Sequence, residues 1–207
     1  VEIPRGGEYA LVLSDGTKVH LNSMSSLRFP VAFTTGKREV ELQGEAYFEV
    51  SKTGQPFIVN ANGIQVEVLG TTFNISAYPD EEYQTTLVNG SVKVSAEKGE
   101  SLILKPSQQA TIALGSNSIQ VRTVDTSFYT SWVKGKINFK DQRLEDIMKT
   151  LSRWYDMNVV YENEKLKNIR FGCNLNRYEE ITPFVKLLEK TEEVHVKIEG
   201  NTITFHN

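Results

Sequence analysis

Hydrophobic and polar positions along the chain follow two different periods. From Val1 to about Thr123 the period is two: Leu11 and Leu13 alternate with polar residues, Asp15-Gly16 turns the chain, and Val19 and Leu21 alternate again. Asp-Gly or Asn-Gly between alternating runs is a strong hairpin signal, because a tight two-residue turn needs positive φ. The signal recurs at Asn62-Gly63, between Phe57-Ile58-Val59 and Ile64-x-Val66-x-Val68. It recurs again at Asn89-Gly90, between Thr86-Leu87-Val88 and Val92-x-Val94. Val40-x-Leu42, Ala46-x-Phe48-x-Val50 and Ile112-x-Leu114 continue the alternation, and no amphipathic helix is visible. About ten or more short strands at this spacing predict an all-β domain, a sandwich, barrel or stacked β-solenoid.

From about Ser131 the texture changes. Asp141 is placed to cap a helix, and Leu144, Ile147, Met148, Leu151, Trp154 and Tyr155 follow at helical spacing. A second helix is predicted from about Glu179 to Lys190, with Ile181, Phe184, Val185 and Leu188 as its stripe and Pro183 in or near the first turn. Strand-like runs flank both: Ile137-Asn-Phe139, Val159-Val-Tyr161, Ile169-x-Phe171, Val194-x-Val196-x-Ile198 and, after Gly200-Asn201, Ile203-x-Phe205. The order is β-α-β, then β-α-β-β, a weak internal duplication. The predicted organisation is therefore mixed: an all-β domain over 1–124, a linker at Val124–Thr130, and a small α+β domain of two β-α-β units over 125–207.

Composition changes this picture little. The chain has 207 residues, 39% hydrophobic and 24% charged, which excludes a largely disordered chain. Residues 1–124 carry 10 basic and 13 acidic side chains, and residues 125–207 carry 13 of each. Neither part is the basic surface a nucleic-acid binder needs. One cysteine, Cys173, excludes an internal disulfide framework. The longest apolar run, Tyr9 to Leu13, is far short of a membrane span. Val1 is not a natural start, so the chain reads as a segment of a longer protein.

Candidate chemistry is sparse. His20 and His195 lie opposite the apolar phase of their strands, and neither His-x-x-x-His nor Cys-x-x-Cys spacing occurs, so no metal site or cofactor is predicted. Glu45 and Glu49 share a strand face around Tyr47, which reads as a solvated face far more readily than as a glycosidase pair. Asn74-Ile-Ser76 and Asn89-Gly-Ser91 match the glycosylation pattern weakly. Cys173 reads as a small buried hydrophobe. Two places are less bland. At Gly70-Thr71 a hydroxyl follows a flexible peptide, so on a strained backbone the Thr71 oxygen could attack the Gly70 carbonyl, an N-to-O acyl shift that water would complete as cleavage. The dipeptide is common and usually inert. At Arg153-Trp154-Tyr155 the tryptophan continues the apolar stripe, which favours a core role, while its neighbours compose a hot-spot-like cluster.

As a set, these residues resemble a known family. Ile3-Pro4-Arg5-Gly6-Gly7-Glu8-Tyr9 is followed by Leu11-x-Leu13-x-Asp15-Gly16-Thr17-x-Val19-x-Leu21-Asn22, then Gly44-Glu45-Ala46-Tyr47-Phe48-Glu49-Val50. Pro56-Phe57-x-Val59, Val68-Leu69-Gly70-Thr71-x-Phe73-Asn74, Gly90-Ser91-Val92 and Leu104-x-Pro106-x-Gln108-Gln109-Ala110 complete the first series. The series resembles the FecR family of transmembrane anti-sigma regulators. The second part resembles the C-terminal domain of its Bacteroidetes-type members, through Trp132, Phe139, Leu144, Ile147, Leu151-Ser152-Arg153-Trp154-Tyr155 and Thr191. Two departures stand out: Ser107 where the family usually has glycine, and Phe171-Gly172-Cys173 in place of the usual Phe-x-Gly.

The resemblance implies a periplasmic region tethered to the inner membrane by a single span outside this chain. It implies a signal from a TonB-dependent outer-membrane transporter, received by a C-terminal domain like the short signalling domains of transporters and secretins. It also implies control of an extracytoplasmic-function sigma factor through a cytoplasmic segment, and no enzymatic turnover. Some members self-cleave at the Gly-Thr step, which maps here to Gly70 and Thr71. The expected partner contacts are Arg153 and Tyr155, with strand addition at an edge formed by Thr202, Ile203, Thr204 and Phe205. A glycan-binding β-module using exposed Tyr9, Tyr47 and Tyr78 is the competing reading.

Overall fold

The computed structural model describes every residue of the chain except Thr35 and Lys98. Two compact units divide it, Val1–Tyr129 and Thr130–Asn207.

The first unit contains β1 (Tyr9–Val12), β2 (Lys18–Leu21), β3 (Ser26–Arg28), β4 (Arg38–Glu49), β5 (Phe57–Ala61) and β6 (Ile64–Val68). It continues with β7 (Thr72–Ala77), β8 (Tyr83–Asn89), β9 (Val92–Ser95), β10 (Ser101–Leu104), β11 (Gln108–Ile112) and β12 (Gln120–Thr123). All join one 12-stranded sheet, and β4 explains how it curls. The first part of β4 pairs with β3 and, in parallel, with β5; its second part pairs with β2 and β7. The partners change at Gly44, where an added Cβ would come within 2.5 Å of Ser25 Oγ and 2.8 Å of the Met24 carbonyl.

The sheet thereby curls over a single core. Phe48 stacks on Phe73 with centroids 5.1 Å apart and tilts against Phe57 at 6.0 Å. All three are fully buried, each contributing about 1.5–3 kcal/mol of apolar burial. The predicted Asn62-Gly63 turn is present with φ of 48° and 77°, joining β5 to β6. No described residue before Ser127 is helical. The predicted linker carries a short helix, α1 (Ser127–Thr130).

The second unit opens with a 3-10 turn at Ser131–Lys134, then runs β13 (Lys136–Arg143), α2 (Leu144–Tyr155) and β14 (Asn158–Tyr161). β15 (Arg170–Asn176), α3 (Thr182–Glu189), β16 (His195–Glu199) and β17 (Thr202–His206) follow. β13 pairs with β15 in a two-stranded sheet, and a three-stranded sheet has the order β14-β17-β16. Each β-α-β unit therefore leaves the first sheet, crosses through a helix and enters the second. The apolar faces meet in one core that includes Leu144, Ile147, Leu151, Phe184, Ile203 and Phe205.

Three expectations are corrected here. Asp141 does not cap α2. It sits with φ 50° at a bulge in β13 and accepts from Arg170 Nε at 2.9 Å. Arg143 precedes the helix in extended conformation without a side-chain capping bond. Glu145 and Asp146 in the first turn instead complement the helix dipole. α3 begins at Thr182 rather than Glu179, because Pro183 takes the first turn and the positions before it bend instead. Finally, Thr202–Phe205 is not a sheet edge. β17 is the middle strand, with β14 along one side and β16 along the other.

Candidate functional site

Gly70 and Thr71 lie between β6 and β7, in an open cleft of about 350 Å³ that Lys18, Glu49, Lys52, Asn89 and Gly90 also line. Strand pairing brings them together. Lys18 lies opposite Glu49 in the β2–β4 ladder, and Thr72 opposite Asn89 in the β7–β8 ladder. The Lys52 stem covers Gly70, so that an added Cβ there would clash with Lys52 Cγ. Thr71 is 5% exposed, and its hydroxyl donates to the Ser91 carbonyl at 2.9 Å. Its own carbonyl accepts from the Val50 amide at 3.0 Å. Gly70 is not among the residues of positive φ. The Thr71 hydroxyl is thus engaged by an acceptor, in a well-bonded stretch of chain.

Glu45 and Glu49 lie four residues apart on β4, so their Cα atoms are roughly 13 Å apart, with Glu45 half-buried and Glu49 exposed. Glu45 accepts from Asn22 Nδ2 at 2.7 Å and Asn74 Nδ2 at 2.9 Å. Asn74 is 3% exposed, so the Asn74-Ile-Ser76 pattern is closed to a glycan-transferring enzyme. Of the three tyrosines suggested for glycan contact, Tyr78 is buried and donates to the Ser23 carbonyl at 2.8 Å. Tyr47 is half-buried and meets His20 edge-on. Only Tyr9 of the three is well exposed.

In the second unit, Arg153, Trp154 and Tyr155 are all half-buried at the end of α2. Tyr155 packs against the core. Burial, with Glu179 adding to it and Arg177 opposing, raises its hydroxyl pKa. Trp154 lies outside the core cluster and does something the sequence did not announce. Arg177, 1% exposed, places its guanidinium 3.6 Å from the Trp154 ring centre and 5.4 Å from that of Trp132. The Arg177 guanidinium donates to the Trp132 carbonyl, and the Trp154 indole donates to the Arg177 carbonyl. Both tryptophans of the chain therefore flank one buried cation, an arrangement that binds strongly when desolvated. The pairing of two isolated tryptophans was the available signal; nothing marked Arg177 itself.

Ile203 and Phe205 are fully buried, and Thr202 and Thr204 are half-buried. The expected contact residues of β17 therefore serve the core and the ladder. The outer strands differ: Val160 of β14 is 45% exposed and Ile198 of β16 is 44% exposed. Cys173 is half-buried, and burial pushes its thiol up to about 11, which makes it a poor nucleophile. Among the described residues no group of three or more metal-ligating side chains converges, and no helix is long and apolar enough to cross a membrane.

This arrangement defines a two-module protein: a β-rich unit with a polar cleft and an α+β unit with open sheet edges. The profile described as FecR protein matches residues 1–93, and the profile described as FecR, C-terminal, matches residues 136–205. The chain belongs to the FecR family, a family of anti-sigma regulators. Two crystal structures described as a candidate anti-sigma factor from Parabacteroides distasonis are similar over the whole chain. Both are 26% identical to it and are covered over 98% and 97% of their length, with TM-scores of 0.91 and 0.90. A comparison with curated protein sequences gives no match.

Proposed function

We propose that this chain is the periplasmic signal-relay part of a membrane-anchored anti-sigma regulator. In this reading the α+β unit receives a signal from the signalling domain of a TonB-dependent outer-membrane transporter. The tether and the cytoplasmic segment that holds an extracytoplasmic-function sigma factor lie outside the chain. The chain turns over no substrate, and the Gly70–Thr71 bond stays intact.

The observation that supports this reading is the edge of the three-stranded sheet. Among the described residues β16 pairs with β17 alone, so its other side is a sheet edge, and Ile198 offers exposed apolar surface beside it. Such an edge accepts an added strand, with main-chain bonds for affinity and side chains for selectivity. Flanking Lys197 and Glu199, bridged at 3.0 Å, limit indiscriminate pairing.

Calorimetric titration of the full chain with the cognate transporter's signalling domain tests it. Binding at about tens of micromolar or tighter is expected for a small transient interface. Ile198→Lys should weaken it about tenfold or more with folding retained. Absence of binding in that range, or binding indifferent to Ile198→Lys, overturns the edge assignment.

A further inference from the structure

The β16–β17 ladder places His195 directly opposite His206, with ring centres 5.6 Å apart and planes 34° apart. His195 is exposed and His206 half-buried, so both rings reach solvent. Their spacing is symmetric about the Gly200-Asn201 turn, five residues before the one and five after the other. They stand eleven residues apart in the sequence, and the hairpin register makes them a pair.

From this geometry we propose that His195 and His206 form a two-histidine site for a borderline-soft divalent transition ion, of the class Cu(II), Ni(II) or Zn(II). An imidazole nitrogen binds such ions at about 2.0–2.1 Å, which puts each ring centre roughly 3.2 Å from the metal. Two rings sharing one ion then have centres at most about 6.4 Å apart, and the observed 5.6 Å lies within that limit. His206 Nδ1 lies 3.2 Å from the Asn207 carbonyl oxygen. Donation of Nδ1–H to that oxygen leaves Nε2 with its lone pair, the usual way a neighbouring acceptor fixes the ligating nitrogen. Lys197, two residues along the same face, is engaged by Glu199 at 3.0 Å. Imidazole pairs suit these ions and not Mg(II) or Ca(II), which prefer oxygen. Two protein ligands leave the remaining positions open to water or to a donor from another molecule.

Calorimetry of the full chain with CuCl2, NiCl2, ZnCl2 and MgCl2 in a non-coordinating buffer tests the site, with electron paramagnetic resonance of the copper-loaded protein. One ion per chain is expected, copper tightest, magnesium silent, and reversal by EDTA. The copper spectrum should show nitrogen ligation. His195→Gln and His206→Gln should each weaken binding about tenfold or more, while His20→Gln leaves it unchanged. Neither ring belongs to the core, and circular dichroism confirms that the variants fold. No binding of any transition ion, or binding that survives either single replacement, overturns the proposal.

Discussion

Arg38 donates to Asp15 at 2.7 Å, with the two side chains 2% and 7% exposed. The same guanidinium donates to the carbonyls of Ser51 at 2.8 Å and Gln55 at 2.6 Å and lies over the Phe57 ring. Asp15 also accepts from the Thr17 amide and hydroxyl, at 3.0 and 2.7 Å. The first hairpin, the start of β4 and the chain entering β5 are thus tied to one charge pair.

Burial by itself would raise the Asp15 pKa; the bonds from Thr17 and from Arg38 outweigh it, and the net direction is down. A depressed carboxylate stabilises the fold above its unfolded pKa, and that contribution is lost as pH falls through the folded value. Urea midpoints should therefore drop below about pH 4, and this part of the drop should be missing in Asp15→Asn. At neutral pH Asp15→Asn leaves Arg38 buried without its counter-charge, at a cost of about 3–5 kcal/mol. A neutral-pH midpoint within error of the parent protein would show the pair to be dispensable.

Ser107 has φ 65°, in the left-handed region. It is fixed there by the Ser107 amide donating to the Leu87 carbonyl at 3.0 Å and by the Ser107 carbonyl accepting from the Val124 amide at 2.8 Å. The glycine expected at this position in the family therefore has a backbone reason, and serine carries the left-handed strain of about 1–2 kcal/mol. Ser107→Gly should relieve part of this strain but loosen the unfolded chain, for a net gain of up to about 1 kcal/mol. The chemical-denaturation midpoint reads this directly, and a lower midpoint would refute it.

The sequence carried the ladder of the first unit because each strand declares itself locally. Val19, Leu21, Ala46, Phe48, Phe73 and Ile75 keep one phase, and Asn62-Gly63 fixes its own turn. It did not carry sheet order in the second unit. Whether Thr202–Phe205 is an edge depends on β14, some forty residues earlier in the chain, and periodicity says nothing about pairing at that distance. Arg177 was hidden for the same reason: its partners Trp132 and Trp154 come from other elements. Asp141 misled because a capping residue type stands two residues too early, where a bulge needed its tolerance of positive φ.

Arg177 predicts a sharp asymmetry between basic residues. Its planar guanidinium fits between two indoles, whereas a lysine ammonium is compact and strongly hydrated. Arg177→Lys should lower stability of the second unit by about 2 kcal/mol, near the value of a desolvated cation–π contact. Arg177→Met, which keeps bulk without charge, separates packing from electrostatics. Tryptophan fluorescence during denaturation follows the loss, since both indoles contact the replaced group. Equal midpoints for the parent protein and Arg177→Lys would show that the stack contributes nothing beyond volume.

Thr71 distinguishes a self-cleaving bond from a structural hydroxyl. Attack on the Gly70 carbonyl requires the oxygen to shed its proton to a base, yet this hydroxyl donates to the Ser91 carbonyl at 2.9 Å, which cannot serve as one. Mass spectrometry of the purified chain over days should therefore give a single intact species. Thr71→Ala should likewise remain intact but lose about 1–2 kcal/mol of stability, because the Ser91 carbonyl is left without its donor. Gly90→Ala should cost more, since its Cβ would lie 2.8 Å from Thr71 Oγ1 on a backbone with φ 99°. Two fragments separating at residue 70 in the parent protein and absent from Thr71→Ala would establish cleavage instead, and would require this hydroxyl to exchange its present acceptor for a base.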